Sequence, residues 1–178
     1  MEYTITTKRL GLRNWKEKDV GPFAEMSIDP LVMRYFPSSL SLQECKQFVE
    51  NMQSHFEQYG YTYFAVDLLE SDEFIGFIGL KNQTFESFFT PCVDIGWRLK
   101  TKFWGQGLAS EGAQACLQFA KKKLVDEQEI LAIVPANNRG SRRVAEKIGM
   151  HFKSTFKHPR LRDYPEIKTC ALYSIANN

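Results

Sequence analysis

Cysteine is scarce: four residues in 178, at positions 45, 92, 116 and 170. No two of them form a Cys-x-x-Cys pair, which removes a zinc ribbon and a thioredoxin-type redox site. A disulfide framework is not expected in a chain able to build a full apolar core, and reduced thiols point to the cytoplasm. No apolar run approaches the roughly 18 residues of a membrane span, and the first residues show no signal-peptide pattern. Charge of one sign is also lacking. Lys plus Arg is 23 and Asp plus Glu is 21, a net +2, which argues against a dedicated nucleic-acid binder. There is no repeat, low-complexity tract or Pro/Gly/Ser linker, so residues 1–178 read as a single domain.

Aromatic residues are plentiful. Fourteen Phe, seven Tyr and three Trp predict a bulky core or a site with aromatic walls. Residues 6–13 read as a first strand, and 16–59 as mostly helical. The best helix there opens at Ser41, where Ser41 and Glu44 make a capping box. Leu42, Cys45, Val49, Met52 and Phe56 then form one apolar stripe, and Gly60 ends it. The period changes to that of strands over 63–69, 74–80 and 92–99, the first two separated by a hairpin turn at 70–73. Residues 109–124 return to helical spacing, with Cys116 on the apolar side and so assigned to the core. A buried strand at 130–134, a helix at 141–148 closed by Gly149, and strands at 150–156 and 169–175 complete the chain. This order predicts a mixed α/β fold, an antiparallel half joined to a β-α-β crossover.

Phe103-Trp-Gly-Gln-Gly-Leu-Ala-Ser-Glu-Gly112 lies between a strand and a helix. Gly105 and Gly107 allow positive φ and close approach of a ligand to the backbone. The first N–H groups of the following helix lack internal acceptors and, with the helix dipole, suit a phosphate. The same glycines also suit a bare strand-to-helix turn. A Walker loop is absent, and a dinucleotide fingerprint fails at Ser110, where a third glycine is required.

The segment resembles the pyrophosphate loop of the GNAT N-acetyltransferase superfamily, Gln/Arg-x-x-Gly-x-Gly/Ala. Trp104-Gly-Gln-Gly-Leu-Ala109 matches all but the first position. Asn138 to Met150 matches a second family element, Asn-x-x-Ser-x-x-Val-x-x-Lys-x-Gly-Phe/Met. Thr7-Lys-Arg-Leu-Gly-Leu-Arg13, Val93-Asp-Ile-Gly-Trp-Arg-Leu99, Ala109-Ser-Glu111, Leu172-Tyr173 and His158-Pro-Arg-Leu161 bring the chain closer to the RimJ/RimL-like branch.

The resemblance implies a central, mostly antiparallel sheet of about seven strands flanked by helices, with its fourth and fifth strands splayed apart. It implies acetyl-CoA as co-substrate, no metal, and transfer of the acetyl group directly to a primary amine, either a protein N-terminus or a small molecule. The main chain of Trp97, Arg98 and Leu99 would pair with the pantetheine arm like an added strand and supply an N–H for the oxyanion. The loop of Trp104, Gly105, Gln106, Gly107, Leu108, Ala109 and Ser110 would hold the pyrophosphate. Asn138 would touch the pantetheine or cap the next helix. Arg142, with Lys102 and Arg143, would meet the 3′-phosphate or remain solvated. Asp94 stands at or next to the usual carboxylate base, acting directly or through water, with His158 as an alternative. Ala145 occupies the position of the acid tyrosine found in many members, and Ser141 matches the serine used in the RimJ/RimL-like branch. His158 and Arg160 sit in a loop expected to border the acceptor cleft. Tyr35, with Phe36 and Trp15, would line the acceptor pocket or pack in the core. A dimer is the family's habit. The rival reading is a CoA-binding sensor or subunit without turnover.

Overall fold

The computed structural model describes residues 2–177. Its framework is one eight-stranded sheet in the order β1-β2-β3-β4-β5-β6-β8-β7. The strands are β1 (Ile5–Thr6), β2 (Leu10–Arg13), β3 (Tyr63–Leu68), β4 (Glu73–Gln83), β5 (Cys92–Leu99), β6 (Glu129–Pro135), β7 (His151–Lys157) and β8 (Thr169–Ala176). Every neighbouring pair is antiparallel except β5 and β6. The helices are α1 (Val20–Ser27), α2 (Pro30–Met33), α3 (Leu42–Tyr59), α4 (Leu108–Lys123) and α5 (Arg139–Lys147). Helix α4 is the crossover that makes β5 and β6 parallel.

The expected count of about seven strands becomes eight because residues 6–13 are not one strand. Thr7 N–H donates to the Leu10 carbonyl at 2.9 Å, closing a tight turn that pairs β1 back on β2. The family's splayed fourth and fifth strands are therefore β5 and β6 in this chain. Helix α3 begins where its local chemistry requires. Ser41 Oγ accepts from Glu44 N–H, and the Glu44 carboxylate accepts from Ser41 N–H at 2.7 Å. Gly60, at φ 74°, stops it.

The sheet separates two apolar layers. One gathers Leu10, Ile78, Leu80, Val93, Ile95 and Leu99 beneath α4 and α5. The other places Trp15, Phe23, Met52, Phe74 and Phe77 beneath α1–α3. Phe74 and Phe77 share a face because a bulge in β4 opposes Val66 to Gly76 and Asp67 to Phe74, leaving Ile75 as the extra residue. Gly76 is obligatory there: its φ is 140°, and a Cβ would sit 2.2 Å from the Arg98 carbonyl oxygen. Trp15 packs edge-on against Phe23 at 5.2 Å and Phe48 at 5.5 Å, so it belongs to the core and not to an acceptor pocket. A buried ionic cluster fastens the same region. Arg13 reaches Asp19 with two hydrogen bonds of 2.7 and 2.9 Å, and Asp67 with two of 2.6 and 2.8 Å.

Candidate active site

Strands β4 and β5 pair along eight residues each, from Gly76 opposite Leu99 to Gln83 opposite Cys92. On its other side β5 meets β6 only at Asp94 opposite Leu131. Beyond that bridge the two strands part, leaving one edge of β5 open. The pleat decides which main-chain groups face the opening. Lys100 N–H donates to the Ile75 carbonyl, so Lys100 and, by alternation, Arg98 turn their main chain toward β4. Trp97 and Leu99 turn theirs into the gap. The indole N–H of Trp104 already donates to the Leu99 carbonyl at 2.8 Å. The main chain of Arg98 is thus removed from the set expected to meet a ligand, and only its side chain reaches the opening.

The glycine turn closes the far end. Gly105 and Gly107 have φ of 75° and 77°, the left-handed region. Gly107 caps α4 without a side chain, and the first helical bond runs from Glu111 N–H to the Gly107 carbonyl at 3.0 Å. The N–H groups of Leu108, Ala109 and Ser110 therefore have no acceptor within the helix. They border a cavity of about 520 Å³ that extends along Trp97 and Leu99 to Tyr35 and Phe36, with Asn138 and Ser141 on the α5 side. A Cβ built on Gly107 would lie 3.8 Å from Arg9 Nη2 and 3.9 Å from Lys147 Nζ, so two cations flank the turn. Arg9 Nη1 also donates to the Gln106 carbonyl at 3.0 Å, while Arg9 Nε donates to Glu111 at 2.7 Å. Thr7 Oγ1 donates to the same carboxylate at 2.6 Å.

A family model described as the acetyltransferase (GNAT) domain matches residues 9–151. The chain belongs to the GNAT acetyltransferase family. Among curated proteins, this acetyltransferase is 34% identical to the N-acetyltransferase YnaD of Bacillus subtilis, itself uncharacterised, over 86% of this chain and 85% of that one. Among solved structures, a GNAT-family acetyltransferase from Bacillus anthracis superposes with a TM-score of 0.79 at 28% identity, covering 97% of this chain and 98% of that one. A RimL ribosomal L7/L12 α-N-protein acetyltransferase in complex with coenzyme A shares the fold at 18% identity, TM-score 0.76 and 98% coverage of both.

The remaining expected site residues of the acetyltransferase divide. Asp94 sits at the bridge where the gap begins, 5% exposed, accepting from the Tyr63 hydroxyl at 2.7 Å and from Gln83 Nε2 at 2.8 Å. Burial pushes its carboxyl up to about 6, against the pull of those two donors and of Lys81. It does not line the cavity. Asn138 both lines the cavity and caps α5, its Oδ1 accepting from Ser141 N–H at 3.1 Å.

Five of the expected side chains lie outside the cavity wall. Arg142 turns inward: its Nε donates to the Tyr173 hydroxyl at 2.9 Å and its Nη1 to the Ala136 carbonyl at 3.2 Å, so it is not in the cavity wall. The Gln106 side chain folds back on the Lys102 carbonyl at 2.9 Å, on the outer side of the turn. Lys102 pairs with Glu73 at 2.6 Å. His158 and Arg160 also lie outside the cavity wall. The His158 ring packs 4.5 Å from Phe85, with Nδ1 accepting from Arg160 N–H, and burial lowers its pKa. Sequence reasoning missed Arg9, Glu111 and Lys147 at the turn, and Tyr63 and Gln83 on Asp94. Among the described residues no group of His, Cys, Asp and Glu could hold a metal ion, and no helix is long and apolar enough to cross a membrane.

Proposed function

We propose that this chain transfers the acetyl group of acetyl-CoA directly to a primary amine. The observation that carries the reading is convergence on one cavity of an open strand edge and an uncapped helix N-terminus behind two left-handed glycines, with two cations on the outer side of that turn. The residues fit the co-substrate. The N–H groups of residues 105–110, with Arg9 and Lys147 nearby, suit a pyrophosphate, and the gap-facing main chain of Trp97 and Leu99 suits an amide-bearing arm. Acetyl-CoA supplies an activated thioester. The protein holds that group beside a β5 N–H, which favours negative charge developing on its oxygen.

The incoming amine attacks only when neutral. Asp94, held near neutrality by its buried site, is the base that takes the proton through a water, and Tyr63 and Gln83 fix its carboxylate. Ser141, which lines the cavity, is the donor to the departing thiolate. The shared fold with RimL keeps a protein N-terminus among the acceptors, beside small amines. The chain works in the cytoplasm, where its four cysteines stay free as they are here. Calorimetric titration with acetyl-CoA, followed by free-thiol release against a panel of amines, tests the reading. Micromolar binding with amine-dependent thiol release is expected. Absence of binding overturns the proposal, and binding without release under every acceptor replaces it with a sensor.

A further inference from the structure

Two arginines of the sheet stand in opposite circumstances, Arg13 fully buried and Arg98 half-buried at the cavity wall. Arg13 has a carboxylate on each side and four hydrogen bonds to them. Arg98 leaves β5 on the face opposite Trp97 and runs between two rings, its guanidinium carbon 3.5 Å from the centroid of Phe36 and 5.3 Å from that of Phe77. Along its edge Nη1 meets Met33 Sδ at 3.7 Å, and Nε is sealed from solvent with no partner. Among the described residues no carboxylate lies within ion-pair distance of it. Desolvation lowers its pKa to about 10, so it remains a cation at neutral pH.

Stacking satisfies the faces of a guanidinium but not its five N–H donors. A methionine would fill the slot between the rings without the cost of an uncompensated charge. The fold engages this cation only through the two rings and the Met33 sulfur, while the cavity that Arg98 lines leaves room for an acceptor. Around it the wall is apolar, formed by Leu31, Val32 and Phe36, with Tyr35 and Arg34 beside them. The glycine turn, where the pyrophosphate belongs, follows the α4 face of β5, whereas Arg98 leaves on the α1–α3 face.

We infer that Arg98 is the specificity residue for the acceptor: it binds a carboxylate carried by an amine whose body is apolar. The inference rests on the acetyl-transfer reading. The chemistry sought is an oxyanion that accepts from the terminal Nη N–H groups of the guanidinium. A phosphate of CoA offers the same chemistry from another source, and the test separates the two.

The wild type, Arg98→Met and Arg98→Lys would first be titrated with acetyl-CoA. Thiol release would then be followed with leucine against leucinamide, phenylalanine against phenylalaninamide, and 6-aminohexanoate against hexylamine. The carboxylate member of each pair is expected to show a kcat/KM at least about tenfold higher, the size of a charge-assisted pair. Arg98→Met should erase that ratio through KM, leave the acetyl-CoA Kd within about threefold, and hold Tm, because no ion pair is broken and methionine keeps the packing against the rings. Arg98→Lys should restore part of the ratio. Equal or better use of the neutral members overturns the inference. So does an acetyl-CoA Kd weakened about tenfold or more in Arg98→Met, which would give the guanidinium to a CoA phosphate, or a Tm loss of several degrees, which would make it a packing residue. Where no pair turns over, the three carboxylates titrated into the protein with and without CoA decide the matter: binding lost in Arg98→Met supports the inference, and no binding at about 10 mM ends it. Failure of the acetyl-transfer reading shows separately, as a flat acetyl-CoA titration of the wild type.

Discussion

Replacing Asp94 with asparagine is expected to separate two consequences of burying this carboxyl. Its folded-state pKa is about 6 and its ordinary value 3.8, so between those pH values the native state holds the proton more tightly than the unfolded chain does. Stability from this group is fully present below 3.8, falls as pH rises through the interval, and is constant above about 6. At about 1.4 kcal/mol per pH unit, the interval amounts to roughly 3 kcal/mol. The substituted amide cannot ionise, and its oxygen can still accept from Tyr63 and Gln83, both of which donate to the aspartate Oδ1. Urea unfolding of both proteins at pH 4, 5, 6 and 7 should therefore show Asp94→Asn gaining about 2–3 kcal/mol over the wild type across the series. The other carboxylates titrate alike in both proteins and cancel. Thiol release should move the other way, with kcat reduced about 10²–10⁴-fold. In the wild type the rate, corrected for the neutral amine, should rise with unit slope below pH 6 and level above it. Stability differences that stay constant from pH 4 to 7 would refute the idea of a buried carboxyl ionising in this window.

Other substitutions probe the turn and the frame. Gly107→Ala places a Cβ in the left-handed region at φ 77°, costing about 1–2 kcal/mol, and should weaken acetyl-CoA binding measured by calorimetry. Glu111→Gln loosens Arg9 and Thr7 and so the Gln106 carbonyl; the acetyl-CoA Kd should rise several-fold with kcat nearly unchanged. Arg13→Met leaves Asp19 and Asp67 buried without their cation, an expected loss of about 3–5 kcal/mol in urea unfolding. Arg142→Met gives up bonds to Tyr173 and Ala136, about 1–2 kcal/mol, and should lower Tm by a few degrees while acetyl-CoA affinity holds.

What could be read from the residues alone was whatever depends on near neighbours in the chain. The capping box at Ser41 and Glu44, the stop at Gly60, and the left-handed demand at Gly105 and Gly107 are local, and all appear where the sequence placed them. Strand β5 came out with its expected ends, and α4 within a residue of its expected ones. Features set by distant partners were not legible. The break between β1 and β2 is held by Glu111, 104 residues beyond Thr7. Arg142 lies in a motif but is claimed by Tyr173, 31 residues on. The outward or inward turn of the main chain at Arg98 follows from the register of β4 against β5, which no single segment specifies. The position of His158 and Arg160 was illegible for a related reason: a polar loop can lie over either end of the sheet, and this one packs on Phe85.

Of the three tryptophans, Trp15 is sealed in the core, whereas Trp97 borders the cavity and Trp104 stands half exposed at its rim with its ring N–H on the Leu99 carbonyl. The molecule thus carries its own optical probe. A guest entering the opening strips water from two indoles and leaves the third as a constant background, so occupancy can be followed by the blue shift of intrinsic emission, without a label.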